Sequence, residues 1–217
     1  MKIKRIFCGA LAVGMLLGQT SSVLAEAVSS PTPTPNPHTE YYAQAADTDS
    51  IEGWPTGPQI EAQSAVLMDL NSEAILYSKN ADTQLYPASI TKIMTAMLAL
   101  KYGNMDDVVT ITQENLDLES GSQVCGFWAG DQVTMDQLLH CLLVYSGNDA
   151  ASAIATHVGG STEGFVEMMN SFAKELGCTG THFTNPHGLQ DENHYTTPYD
   201  IYLMLKEALN YPEFTQI

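Results

Sequence analysis

The chain has 217 residues, 44% of them hydrophobic, and a formal net charge of −17 from 8 Lys+Arg against 25 Asp+Glu. That length suits one ordinary domain with additions. The acidity excludes a protein that grips nucleic acid or an anionic membrane surface by electrostatics.

Residues 1–25 read as a secretory signal peptide. Lys2, Lys4 and Arg5 form a positive start, Ile6 to Leu17 a short apolar core, and Val23-Leu24-Ala25 a small-residue cleavage site. Cleavage there leaves five lysines, no arginine and all 25 acidic residues, a net charge of −20. Residues 26–60 predict a linker. Ser29 to Pro37 alternates proline with small polar residues, which favours an extended spacer with no core of its own.

The folded part is expected over residues 61–217. Ala65 to Met68 and Ala74 to Tyr77 are short apolar runs around a polar break, the pattern of a hairpin. A helix carrying Ser89 and Lys92 follows, with Gly103 as its stop. Val108 to Thr112 is β-prone. Met135 to Tyr145 predicts an apolar helix, broken at Ser146-Gly147-Asn148. Asp149 to Val158 predicts a second helix, with Asn148 or Asp149 able to cap it. Thr162 to Leu176 is amphipathic and stops at Gly177. Pro198 to Leu209 is the last helix, with Thr197 as its cap. A hairpin followed by mostly helix reads as α+β: either the helices cover the hairpin completely, or the rest of a sheet is missing.

Three cysteines lie beyond the leader, Cys125, Cys141 and Cys178, so complete internal pairing is impossible. Cys141 sits in an apolar run and reads as a small buried hydrophobe. The six histidines form no HExxH-type motif and no cysteine pair has zinc-finger spacing. Neither metal nor cofactor is expected.

Lys92 is the only charge between Asp82 and Lys101. A lysine in a run that apolar must be paired or lose its proton readily. Ser89 lies three residues earlier, on the same face of a helix. The pair reads as a nucleophile beside a base, against the bland alternative of a capping serine and a snorkelling lysine. Two decoys calibrate the pattern. Ser171-x-x-Lys174 falls on the polar face of its helix and reads as surface. Ser78-Lys79-Asn80 falls at a strand end and reads as a turn.

Ser89-Ile90-Thr91-Lys92, followed by Ser146-Gly147-Asn148, resembles the penicillin-interacting serine enzymes, whose signature is S-x-x-K, S-D-N and K-T-G. Leu85 to Ala96, Ser146 to Ala151, Phe183 to Leu189 and His194 to Asp200 resemble blocks of the low-molecular-weight D-alanyl-D-alanine carboxypeptidases. The resemblance covers about residues 54–217. It implies a β-lactamase/D,D-transpeptidase-like fold: a helical subdomain plus an antiparallel sheet of which this chain holds only the N-terminal hairpin. It also implies an exported enzyme on the outer side of the cytoplasmic membrane that trims peptidoglycan stem peptides ending in D-Ala-D-Ala. Ser89 would be the nucleophile, Lys92 its base, Ser146 the proton relay and Asn148 the substrate-backbone contact. β-Lactams would acylate Ser89.

No Lys-Thr-Gly occurs in the chain. The resemblance places that motif on a strand downstream of residue 217. The expectation is a fragment with little or no activity, whose membrane attachment would lie in a C-terminal region it does not contain. Two other readings stay open. One is a class A β-lactamase, opposed by Gly147 in place of Asp and by the lack of a Glu-x-x-Leu-Asn block. The other is a non-catalytic wall-binding protein of the same fold.

Overall fold

The computed structural model describes residues 39–217; the predicted leader and the first part of the predicted linker lie outside the described residues. Strands β1 (Ala65–Met68) and β2 (Ile75–Lys79) pair antiparallel, with Ala65 opposite Lys79 and a bulge between Leu67 and Met68. A second antiparallel pair joins β3 (Val108–Thr110) to β4 (Gln132–Thr134). The sequence reading found β3 but not its partner. Each of these strands is only three residues long, too short for alternation to declare itself.

Residues 39–60 differ from the predicted spacer. They form a short helix α1 (Thr39–Tyr42) and a 3₁₀ turn (Asp47–Ser50), and they fold back along β2. The Lys79 ammonium is wholly buried and donates to the carbonyls of Tyr41 and Ile60. Asp47 accepts from the Asn80 amide at 2.8 Å and from the Ser78 hydroxyl at 3.0 Å. The Trp54 indole donates to the Leu76 carbonyl at 3.1 Å. Two of these bonds satisfy the Asn80 amide and the Leu76 carbonyl, backbone groups that a bare edge of β2 would leave open. Lys79, expected in a turn, instead ends β2 and is the clasp for this segment.

Helix α2 (Lys92–Tyr102) is the centre of the core. Met94, Ala96, Met97, Leu98 and Ala99 are fully buried, as a helix apolar on all sides requires. Around it stand α4 (Met135–Leu143), α5 (Asn148–Gly159), α6 (Thr162–Glu175), α7 (Pro198–Ala208) and α8 (Pro212–Gln216), while α3 (Gln113–Leu116) packs on α5. Ala150, Ala151, Ala153 and Ala155 let α5 approach its neighbours closely. Thr134, Ser161 and Thr197 cap α4, α6 and α7 by accepting from Gln137, Gly164 and Asp200. Gly103 ends α2 in extended backbone rather than a left-handed turn. Glycine is needed there for space, because a Cβ would stand 2.8 Å from the Ala99 carbonyl oxygen. Among the described residues no helix is long and apolar enough to cross a membrane.

A cleft of about 510 Å³ lies between β1, the Leu85–Ile90 segment and α7. Leu67, Leu70, Ile90 and Leu205 stay exposed at its walls.

Candidate active site

The Ser-x-x-Lys segment does not form one continuous α-helix. Ala88–Thr91 is a 3₁₀ turn, and α2 proper begins at Lys92. Ala88 enters the turn at φ +48°, a left-handed conformation that costs a non-glycine residue about 1–3 kcal/mol. The turn leaves Ser89 exposed while Lys92, at 3% exposure, is buried beneath it.

Three acceptors surround the Lys92 Nζ: the Ser89 hydroxyl at 3.1 Å, the Asn148 side-chain carbonyl at 2.8 Å and the His187 backbone carbonyl at 2.8 Å. None is a carboxylate. Burial without a counter-charge lowers the Lys92 pKa from the ordinary lysine value to about 8. An amine in this setting can keep two donors on Asn148 and His187 and turn its lone pair to the Ser89 hydroxyl.

Asn148 and Asp149 carry the residue types of a helix cap, but the structure uses both elsewhere. Gly147 is the N-cap of α5 and Asn148 its first residue. The Asn148 side chain goes to Lys92, and Asp149, fully buried, accepts from the amides of Cys125 and Gly126 at 2.9 and 3.1 Å. Asp149 thus anchors the 117–131 loop beside the site. Ser146 sits in the break between α4 and α5 at φ +64°, half-buried, with no direct hydrogen bond to Ser89 or Lys92. The structure therefore joins Ser89, Lys92 and Asn148 directly and sets Ser146 two residues from Asn148 in the same turn. Ser171 and Lys174 are exposed on α6.

The Asn185-Pro186-His187-Gly188 turn completes the site, and sequence reasoning left its role open. The Asn185 side-chain oxygen accepts from the backbone amides of His187 and Gly188. Thr95 donates to the Pro186 carbonyl at 2.6 Å. Gly188, at φ +90°, lies so close to the Ala88 carbonyl that a Cβ would overlap it. Leu85 pairs with Thr196, and His182 with Tyr195, which ties this block to the chain entering Ser89. The His194 ring lies 2.8 Å from the Thr91 hydroxyl, and its Nδ1 accepts from the Thr184 amide, so Nε2 carries the proton and donates to Thr91. Burial lowers both His187 and His194 to about 4, with Lys92 adding to the effect at His187. Both are neutral at pH 7. Pro186 and Gly188 are turn residues, but nothing local in the sequence says that the turn docks on α2.

Among the described residues no three His, Cys, Asp or Glu side chains gather where they could hold a metal ion.

The sequence model of the D-alanyl-D-alanine carboxypeptidase family, peptidase S11, matches residues 52–217. The chain belongs to this family. It is 44% identical over 161 residues to D-alanyl-D-alanine carboxypeptidase DacF of Bacillus subtilis, covering 72% of this chain and 41% of that one. It is 42% identical over 152 residues to DacA of Haemophilus influenzae, covering 67% and 39%. Penicillin binding protein 6B from Escherichia coli shares the fold at TM-score 0.71 and 35% identity, over 76% of this chain and 55% of that one. A mutant of the Streptomyces K15 DD-transpeptidase does so at TM-score 0.71 and 33% identity, over 74% and 65%. The chain spans about two-fifths of the length of the curated relatives it matches. The fold is thus that of the penicillin-binding D,D-peptidases: a helical body with a short antiparallel hairpin, and a second small sheet besides.

Proposed function

We propose that Ser89 is the acylated nucleophile of an exported serine D,D-carboxypeptidase that removes the terminal D-alanine from peptidoglycan stem peptides. The observation that carries this reading is a buried lysine, lowered to about 8 without a carboxylate partner, 3.1 Å from an exposed serine hydroxyl. The neutral Lys92 amine takes the Ser89 proton as Oγ attacks the carbonyl of the D-Ala-D-Ala bond. The C–N bond breaks, and the proton passes through the Ser146 hydroxyl, both donor and acceptor, to the leaving D-alanine amine. Water then attacks the Ser89 ester and releases the shortened peptide. Asn148 keeps its carbonyl on Lys92 and offers its amide N–H groups to the substrate backbone. β-Lactams, whose strained amide mimics the scissile bond, leave Ser89 acylated. The predicted leader puts this chemistry outside the cytoplasmic membrane.

Intact mass after incubation with a penicillin tests the assignment, with circular dichroism to confirm folding. One adduct that Ser89→Ala abolishes is expected. A folded chain that takes no adduct would refute acylation by these residues alone. Rapid penicillin hydrolysis without a persistent adduct would point instead to a β-lactamase.

A further inference from the structure

Two thiols flank the turn that carries Asn148, and the chemistry proposed above uses neither. Cys125 lies in the 117–131 loop and Cys141 near the end of α4; both are half-buried and both are free. The Cys125 sulfur lies 3.8 Å from the Cys141 carbonyl oxygen, which brings the two residues side by side. The Gly147 amide donates to that same Cys141 carbonyl at 3.0 Å. A Cβ on Gly147 would overlap the Cys125 sulfur. The loop is bound to the start of α5 at three further points: the amides of Cys125 and Gly126 donate to Asp149, and the Asn148 amide to the Gln123 carbonyl at 2.8 Å. Whatever moves Cys125 therefore moves the turn that presents Asn148 to Lys92.

We propose that Cys125 and Cys141 form a thiol–disulfide modification site, closed by a low-molecular-weight disulfide and coupled to the Lys92–Asn148 contact. One thiolate attacks the external disulfide R–S–S–R, forms a mixed disulfide and releases one thiol. The second cysteine gives up its proton to solvent and attacks the sulfur bound to the protein, releasing the other thiol. Two protein thiols and one external disulfide thus become one protein disulfide and two external thiols. Burial first, and the Asp149 carboxylate next, push the Cys125 thiol up to about 12, so Cys125 stays a thiol at neutral pH and is not the first attacker. Bond formation requires the sulfurs at about 2.05 Å, so the Cys125 sulfur leaves Gly147 for α4. The Gln123 and Asp149 anchors carry that shift to Asn148. A displacement of about 1 Å there is enough to slow acylation of Ser89 tenfold or more.

The bond is independent of the proposed function; only its effect on acylation rests on that reading. The test treats the full chain with oxidised glutathione, blocks free thiols with iodoacetamide and digests with a protease that cleaves after acidic residues. Asp131 and Asp136 lie between the two cysteines, so closure joins two peptides with the loss of two hydrogens. Expected are that linkage, its absence in Cys141→Ser, and its reversal by dithiothreitol. Glutathione retained on either cysteine, or a link to the buried Cys178, overturns the site. Coupling is read by NMR on chain carrying ¹³C-labelled lysine: the Lys92 signal should move on oxidation, and an unmoved signal overturns the coupling. Penicillin labelling is run alongside. A Lys92 signal that moves while neither form labels would refute the proposed function and leave this inference standing.

Discussion

Asn148→Asp isolates what holds Lys92 ready to act. The substitution keeps shape and places a carboxylate where the amide carbonyl stands, 2.8 Å from Nζ. At an effective dielectric of about 20, attraction at that distance is worth about 6 kcal/mol. Desolvating the new carboxylate takes back roughly half, leaving about 3 kcal/mol, or about two pKa units. Lys92 then moves from about 8 to about 10. At pH 7 its neutral fraction falls from roughly one-tenth to roughly one-thousandth, and acylation by penicillin slows about 100-fold. Sign and window follow from the same shift. In the parent chain acylation rises with pH and levels off above about 8. In the variant it is still rising about tenfold per unit at pH 9. The seven lysines of the sequence make NMR of ¹³C-labelled chain a direct titration that needs no activity. An unchanged inflection near 8 in the variant, whatever happens to the rate, would refute the argument that the absence of a counter-charge sets the Lys92 pKa.

Three further expectations concern the frame around the site. Gly188→Ala meets both a left-handed φ of +90° and the Ala88 carbonyl, so it should cost more than about 2 kcal/mol in urea unfolding. A loss under about 1 kcal/mol would show that the turn yields easily. Lys79→Met removes the ammonium that binds Tyr41 and Ile60, and should release residues 39–60 to chymotrypsin at Trp54 while the rest resists. Equal resistance in both proteins would count against a clasp. His194 is held neutral, its pKa lowered from 6.5 to about 4 and its ring almost fully buried. The unfolded chain therefore binds the proton first as pH falls. About 3 kcal/mol of stability, complete above pH 6.5, should be lost between pH 6.5 and 4, and His194→Gln should flatten that slope. A slope unchanged in the variant would assign the acid transition elsewhere.

What could be read before the structure was what short-range chemistry decides. The hairpin, α2, α4 to α7 and the Ser89–Lys92 pairing follow from apolar periodicity, caps and one charge isolated among hydrophobes. The exposed Ser171–Lys174 copy shows that the spacing alone carries little. What escaped depends on partners far along the chain. Residues 39–60 continue a proline-rich stretch and carry no apolar run of their own, yet Asp47 binds Asn80 and Lys79 binds Tyr41, contacts invisible to any local window. Asn148 and Asp149 matched a cap and serve Lys92 and the 117–131 loop instead, because a buried amine and two loop amides would otherwise lack acceptors. The Lys92 carbonyl partner came from a backbone atom of His187, which no side-chain pattern can announce.

Gly147, the position where the wider group's signature has aspartate, follows from the same loop. Its φ of −65° and ψ of 123° suit any residue, so conformation does not demand glycine. Space does: the Cys125 sulfur fills the place a side chain would take, and the Asp149 carboxylate lies 2.9 Å from the would-be Cβ. Cys125 and Gly147 are then one unit and should fail additivity. Gly147→Ala alone should cost about 1–3 kcal/mol by overpacking. Cys125→Ala removes the obstructing sulfur, and in that background the added methyl should cost at least about 1 kcal/mol less. Urea unfolding of the four proteins measures the coupling. Strict additivity would mean that the Asp149 carboxylate, not the thiol, excludes a side chain at 147. In that case Asp149→Ala, which removes the carboxylate together with its grip on the Cys125 and Gly126 amides, becomes the substitution that admits one.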